Sequence, residues 1–122
     1  MANVLIVDDD AGIRGAVRRT LVDLGHAVWD VPGGEEALAL LDGTPFDLLI
    51  TDVYMAEVDG VELLVRIQQR GLTVPVVVMS GGSYASADDV LGMAQTYGAA
   101  ATLHKPFTPL QLRATVESLL QG

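Results

Sequence analysis

The chain has 122 residues, with seven basic side chains against sixteen acidic ones, a net charge of −9 and no cysteine. This length suits one domain with its own core, and we expect a single domain over residues 1–122. The negative charge opposes binding to nucleic acid and to anionic lipid surfaces. The lack of cysteine excludes disulfides and thiolate zinc sites. Short apolar stretches and an N-terminus without signal-peptide features predict a soluble cytoplasmic protein with no membrane partner.

Apolar runs of strand length alternate with segments of helical period along the whole chain. Strands are predicted over 4–7, 27–31, 48–51, 76–79 and 102–104, and helices over about 11–24, 35–41, 60–70, 86–97 and 108–120. This alternation is typical of a parallel sheet with helices on both faces. The sequence therefore predicts an α/β domain of five strands and five helices.

Four helix starts carry N-cap signals, and the one at Ser86, before the predicted helix over 86–97, is similar to the one at Asp59. Asp10 is expected only to cap the first helix. Asp59 can cap the third helix, with Glu62 three residues later in capping-box register, and Thr108 with Gln111 forms the same pattern before the last helix. These signals place the helix starts more firmly than periodicity alone.

Polar residues follow four of the predicted strands at the point where each strand ends. They are Asp8 and Asp9, Asp52, Ser80 and Lys105. Any one of them has an ordinary explanation as a helix cap or a surface residue. Because the carboxyl ends of parallel strands share one edge of a sheet, where such sheets bind ligands, all of them together indicate a site.

The residue types at these strand ends suit phosphoryl chemistry on a metal ion. Three carboxylates close together repel one another unless a cation neutralises them, and oxygen ligands without His or Cys suit Mg²⁺. Lys105 can pair with a phosphoryl oxygen, and Ser80 can donate a hydrogen bond to another. Asp52 can then act as the nucleophile that forms an aspartyl phosphate.

With these motifs in this order, the chain resembles the receiver domain of two-component response regulators, from residue 4 to residue 120. The matching motifs are Val-Asp-Asp at 7–9, Asp52 followed by Met55, Asp59 and Gly60, Ser80 after an apolar strand, and Lys105-Pro106-Phe107. The resemblance implies a doubly wound, flavodoxin-like (βα)5 fold with a five-stranded parallel sheet in the order 2-1-3-4-5. It also implies a phosphorylation-controlled signalling switch in a phosphorelay, with no separate output domain.

The resemblance assigns a role to each strand-end residue. Asp52 is the phosphoacceptor, and Asp9 and Asp52 ligate Mg²⁺ together with the backbone carbonyl of Tyr54. Asp8 reaches the ion through water. Ser80 is the switch hydroxyl, and Lys105 pairs with the acceptor or its phosphate. Such a domain catalyses only its own phosphorylation and slow dephosphorylation, and is otherwise not an enzyme.

The implied partner is a histidine kinase or a histidine phosphotransfer protein. The resemblance implies that this partner docks around Ile13 and Ala16 and on the Pro106-Phe107 loop. Ile13 also fits the core-facing stripe of the first helix. The sequence leaves the downstream protein target unassigned and predicts a monomer or weak dimer.

Three positions depart from the family pattern. Ala56 stands where a proline is usual, which leaves the acceptor loop less restricted. Thr102 stands where an aromatic residue usually rotates on activation, so that rotation cannot carry the output, and we expect the neighbouring His104 to be a surface residue. The loop that begins at Gly81 is longer than usual, and either an order–disorder change or tolerated surface length explains it.

Three alternative functions fit the sequence less well. A phosphatase of the haloacid dehalogenase group needs a second acid two residues after its nucleophile, where this chain has Tyr54. A flavodoxin-type flavin module needs a phosphate loop rich in Ser, Thr and Gly, but the run from Asp8 to Asp10 would repel phosphate. A degenerate receiver that signals without phosphate is opposed by the complete set of site residues.

Overall fold

The computed structural model describes residues 1–53, 55, 58–81, 92 and 96–120. Its elements are β1 (Asn3–Val7), α1 (Ala11–Asp23), β2 (Ala27–Val31), α2 (Gly34–Gly43), β3 (Leu48–Asp52), α3 (Gly60–Gln69), β4 (Val76–Ser80), β5 (Ala101–His104) and α4 (Pro109–Leu120). The predicted helix over 86–97 lies mostly outside the described residues, although Gly92 and Thr96 are helical. No helix among the described residues is both long and apolar enough to span a membrane.

The five strands form one parallel sheet in the order β2-β1-β3-β4-β5, which confirms the predicted doubly wound fold. Alternate residues of β1 face opposite sides of the sheet: Leu5 packs in one apolar cluster, and Ile6 packs in the other. The cluster with Leu5 contains α2 and α3 residues, and the cluster with Ile6 contains α1 and α4 residues. Because the sheet is covered on both faces, its central strands β1, β3 and β4 consist mainly of buried apolar residues.

Helix capping follows the sequence signals with one difference. Before α4, Gln111 N donates to Thr108 Oγ1 at 3.1 Å and Thr108 N donates to Gln111 Oε1 at 2.8 Å, so this capping box is complete. Before α3, Glu62 N donates to Asp59 Oδ1 at 2.8 Å. The Glu62 carboxylate instead accepts a hydrogen bond from Arg66 at 3.0 Å, so only half of that predicted box forms.

Candidate functional site

The strand register brings the predicted site residues to one edge of the sheet. Val7 pairs with Thr51, which places the residues that follow β1 beside the end of β3. At the other side, Lys105 N donates to Ser80 O at 2.7 Å, so the polar ends of β4 and β5 are also adjacent. The carboxyl ends of four strands therefore converge, as the sequence predicted.

The three acids of this edge form one cluster. Carboxylate oxygens of Asp8, Asp9 and Asp52 all lie within 4.8 Å of one another. Asp8 is fully buried and Asp52 is buried, whereas Asp9 is exposed. A buried pair with an exposed third member gives a cation both an anionic pocket and a route in from solvent.

Lys105 supplies the positive charge of the cluster. Its Nζ lies 3.0 Å from Asp8 Oδ2 and 3.3 Å from Asp52 Oδ1, so one ammonium bridges both buried acids. One cation beside three carboxylates leaves the cluster with a net negative charge if all are ionised. All donors are carboxylate oxygens, with no His or Cys, so the donor set fits a hard divalent ion.

The surroundings of Asp52 disfavour its charged form. Burial raises the pKa of the Asp52 carboxyl above its ordinary value, the Asp8 carboxylate raises it further, and Lys105 partly offsets both effects. A cation bound between the acids would oppose this shift by stabilising the ionised form. The site is therefore built so that ionisation of the proposed nucleophile depends on nearby positive charge.

Asp10 does not belong to this cluster. Its Oδ1 accepts hydrogen bonds from Gly12 N at 2.8 Å and from Ile13 N at 3.1 Å, which caps α1. The expectation that Asp10 is only a helix cap is confirmed.

Ser80 is buried at the end of β4, and the residue after it has a packing role that the sequence did not reveal. A Cβ at Gly81 would lie 2.6 Å from the Cβ of Lys105. The Lys105 stem therefore crosses directly over the Gly81 backbone on its way to the acids. No motif in the sequence indicates this close approach.

The backbone around the end of β3 is packed just as closely. A Cβ at Gly60 would overlap the carbonyl oxygen of Asp52, and Gly60 N donates to Val53 O at 2.8 Å. Val58 is buried, and a Cβ at Gly34 would lie 2.6 Å from its Cγ1. Two glycines thus let α2 and α3 approach the described parts of the segment that follows the acceptor strand.

A mainly apolar groove adjoins the acidic cluster and contains the residues predicted for partner docking. Ile13 and Ala16 of α1 line it together with Pro106 and Phe107, and its volume is about 440 Å³. Lys105 also lines the groove, which connects it to the acidic cluster. Ile13 additionally packs against the core, which confirms its place in the core-facing stripe of α1, and its role in partner docking stays a prediction.

Several predicted features fall outside the described residues. The Tyr54 carbonyl, the Ala56 position and the loop after Gly81 up to Ser86 are among them. On β5, Thr102 is partly buried and His104 is exposed, which confirms His104 as a surface residue.

The comparisons with known proteins agree with this geometry. A family model described as the response regulator receiver domain matches residues 4–117. An uncharacterised 14.6 kDa protein of Leptolyngbya boryana is 36% identical over 117 residues, covering 94% of this chain and 87% of that protein. The alkaline phosphatase synthesis transcriptional regulatory protein PhoP of Bacillus subtilis is 30% identical over 118 residues. That alignment covers 97% of this chain but 48% of PhoP, so the chain spans about half of that relative.

Among solved structures, the chemotaxis response regulator CheY4 of Vibrio cholerae superposes with a TM-score of 0.86 at 34% identity, covering 98% of this chain and 99% of that one. The match to the family model over nearly the whole chain sets aside the haloacid dehalogenase and flavodoxin interpretations. The chain belongs to the response regulator receiver domains, which are signalling domains of phosphorylation-controlled two-component systems.

Proposed function

We propose that this chain accepts a phosphoryl group on Asp52 from a histidine kinase or a histidine phosphotransfer protein and changes its protein-binding surface in response. The observation that carries the proposal is the Lys105 ammonium, held between Asp8 and Asp52 at the end of a buried strand. A carboxylate flanked by a fixed cation and by two further acids has what phosphoryl transfer needs, which is positioning and charge compensation.

The transfer step balances with the groups at hand. A carboxylate oxygen of Asp52 attacks the phosphorus of a phosphohistidine whose other ring nitrogen is protonated, the new P–O bond forms as the P–N bond breaks, and the histidine side chain keeps the electron pair and leaves as neutral imidazole. Before transfer, the Lys105 ammonium is paired with the Asp52 carboxylate. After transfer, it can pair with an oxygen of the phosphoryl group instead. Water attack on the same phosphorus later releases phosphate, and we propose that this self-dephosphorylation is slow.

We propose Mg²⁺ as the metal of this site. Asp9 and Asp52 would hold it with the backbone carbonyl of Tyr54, and Asp8 would contact it through water; when bound, the ion supplies charge compensation for the phosphoryl oxygens. Support comes from the three carboxylates within reach of one another and from the absence of soft donors in that cluster.

Ser80 is proposed as the switch hydroxyl, because it is buried at the end of β4 beside Lys105. The response would then reach β5 and the start of α4, since Ser80 pairs with His104 in the sheet. Thr102 stands where an aromatic residue is usual on this strand. We therefore propose that the protein-binding surface changes by a movement other than rotation of an aromatic side chain. An order–disorder change of the longer loop after Gly81 stays a prediction for this movement.

The remaining features of the proposal come from the sequence. We propose that residues 1–122 form a single receiver domain that is a monomer or weak dimer and has no nucleic-acid or membrane partner. The acidic net charge of −9 supports the absence of nucleic-acid binding. A cytoplasmic location and a protein as the downstream target stay predictions.

Intact mass spectrometry after incubation with phosphoramidate and Mg²⁺ tests the proposal. The parent protein should gain the mass of one phosphoryl group, and the gain should disappear in EDTA and in Asp52→Asn. Asp47→Asn, which makes the same change at an exposed residue before β3, should behave like the parent. An unmodified parent protein under these conditions would identify a degenerate receiver instead.

A further inference from the structure

We propose that Arg14 of α1 is a positioning residue for the metal-binding acids, because it holds the peptide unit that joins Asp8 to Asp9. Asp30 of β2 orients the Arg14 guanidinium for this role. The inference rests on the proposed function, since it concerns the same metal site. It adds a residue outside the acidic cluster whose removal should change metal affinity.

Arg14 completes a set of contacts that fixes every hydrogen-bonding group of Asp8. Arg14 Nη1 donates to the backbone oxygen of Asp8 at 2.7 Å, and Asp8 N donates to Val31 O at 3.2 Å. The two carboxylate oxygens accept from Asp10 N at 2.9 Å and from Lys105 Nζ at 3.0 Å. The backbone N–H, the backbone carbonyl and both carboxylate oxygens of Asp8 are therefore hydrogen-bonded, and Arg14 is the donor to the carbonyl.

The carbonyl of Asp8 matters because it lies in the same rigid plane as the N–H of Asp9. Fixing that oxygen fixes the orientation of the plane, and with it the direction in which the Asp9 Cα and side chain continue. Asp9 is exposed, and within the described part of the chain no hydrogen bond or ion pair holds its carboxylate. The peptide plane is thus the main described constraint on this ligand.

Asp30 holds Arg14 in the orientation that this contact needs. Arg14 Nε lies 3.3 Å from Asp30 Oδ1, and Arg18 pairs with the other oxygen of the same carboxylate. The Arg14 side chain is 19% exposed and that of Arg18 is 49% exposed, so the inner arginine is the better shielded one. A guanidinium is suited to this geometry because its donors are fixed in one plane and can serve two acceptors at once.

Charge and positioning make opposite predictions for Arg14. A cation near the acids repels a bound metal ion, so removing its charge should strengthen metal binding if charge were its main effect. Loss of a group that positions metal ligands instead weakens metal binding, by about tenfold or more where such groups have been removed elsewhere. The sign of the change in Mg²⁺ affinity therefore separates the two roles.

Isothermal titration with Mg²⁺ alone measures this sign. We expect Arg14→Gln to raise the Kd by about tenfold, Asp30→Asn to raise it by a smaller factor, and Arg19→Gln to leave it unchanged. Arg19 is the matched control, because it is an exposed arginine on the same helix. Arg14→Lys keeps the charge and the stem but loses the planar fork, so it should also weaken binding, and it carries the test if Arg14→Gln does not fold.

Action through Asp9 has its own test. In an Asp9→Asn background, adding Arg14→Gln should cost little further affinity, because the ligand that Arg14 directs is already impaired. An Arg14→Gln protein that binds Mg²⁺ as tightly as Arg19→Gln, or more tightly, would overturn the inference while leaving the proposed function intact. A parent protein that binds no Mg²⁺ would contradict both, and melting curves in EDTA confirm that each variant is folded.

Discussion

The Lys105 ammonium lies 3.3 Å from the Asp52 carboxylate, across the width of β4 that separates their strands. The same ammonium also contacts Asp8, so it is the counter-charge of both buried acids in the metal-free protein. Its removal leaves buried carboxylates unpaired, which is more costly than losing an exposed ion pair.

Lys105→Gln should therefore lower the free energy of unfolding in EDTA by about 2 kcal/mol or more. Arg113→Gln is the control, because it breaks an exposed pair with Glu117 on α4 and should cost less than about 0.5 kcal/mol. Urea unfolding at neutral pH measures both. Equal effects from the two substitutions would mean that Lys105 is not the main counter-charge of the acids.

Magnesium should stabilise the unphosphorylated protein, because it relieves repulsion among acids that only folding brings together. At a free concentration one hundred times the Kd the gain is about 2.7 kcal/mol. Thermal unfolding with Mg²⁺ and with EDTA checks this value, and Asp9→Asn should show a smaller difference. A melting temperature that is the same in both buffers would argue against a metal at this cluster.

The raised pKa of Asp52 predicts how stability depends on pH in EDTA. The folded state binds the Asp52 proton more tightly than the unfolded state, so this group favours folding at low pH, and that contribution is lost as the pH rises through the folded pKa. Asp52→Asn should therefore stabilise the protein in EDTA at neutral pH, with a gain that fades as the pH falls through the raised folded pKa and is absent below about pH 4, where Asp52 is protonated in both states.

Urea unfolding of Asp52→Asn and of the parent protein in EDTA, from neutral pH down to about pH 4, measures this gain in stability. Asp47→Asn removes an exposed carboxylate and should show no comparable gain. A gain for Asp52→Asn that grows toward low pH would contradict the stated direction of the Asp52 shift.

Gly60→Ala should destabilise the protein by about 2–3 kcal/mol, because the new methyl group would overlap the Asp52 carbonyl and force the acceptor strand and α3 apart. Gly15→Ala makes the same change in α1 at a position with open space around it, and it should stabilise the protein by up to about 1 kcal/mol. Chemical unfolding compares the two. A neutral Gly60→Ala would show that α3 can move away without strain.

The sequence predicted the ends of β1, β3 and β4 to within one residue, because each is marked by a change from apolar to polar residues, as at Val7 and Asp8. It predicted the complete capping box of Thr108 and Gln111 because that motif is local. It missed the extension of α2 beyond residues 35–41, since Gly34 and Gly43 are weak helix formers that only the fold places in the helix.

The contacts of Arg14, Gly60 and Gly81 could not be predicted from one sequence. Each depends on how closely two elements approach, and nothing in local periodicity or composition reports that distance. Arg14 follows the helical pattern as an ordinary polar residue, although it reaches the carbonyl of Asp8. The acids are recognisable because they occur together with Ser80 and Lys105 at the ends of four strands, whereas Arg14, Gly60 and Gly81 belong to no such pattern.

The position of the phosphoryl group decides whether Asp52, and not Asp8 or Asp9, is the phosphoacceptor. Borohydride reduces an aspartyl phosphate to homoserine, so treating the protein after phosphoramidate and Mg²⁺, followed by peptide mass mapping, marks the acceptor residue. We expect homoserine at position 52 and unchanged aspartates at positions 8 and 9. Homoserine at position 8 or 9, or none at position 52 in a protein that has gained a phosphoryl group, would contradict this expectation.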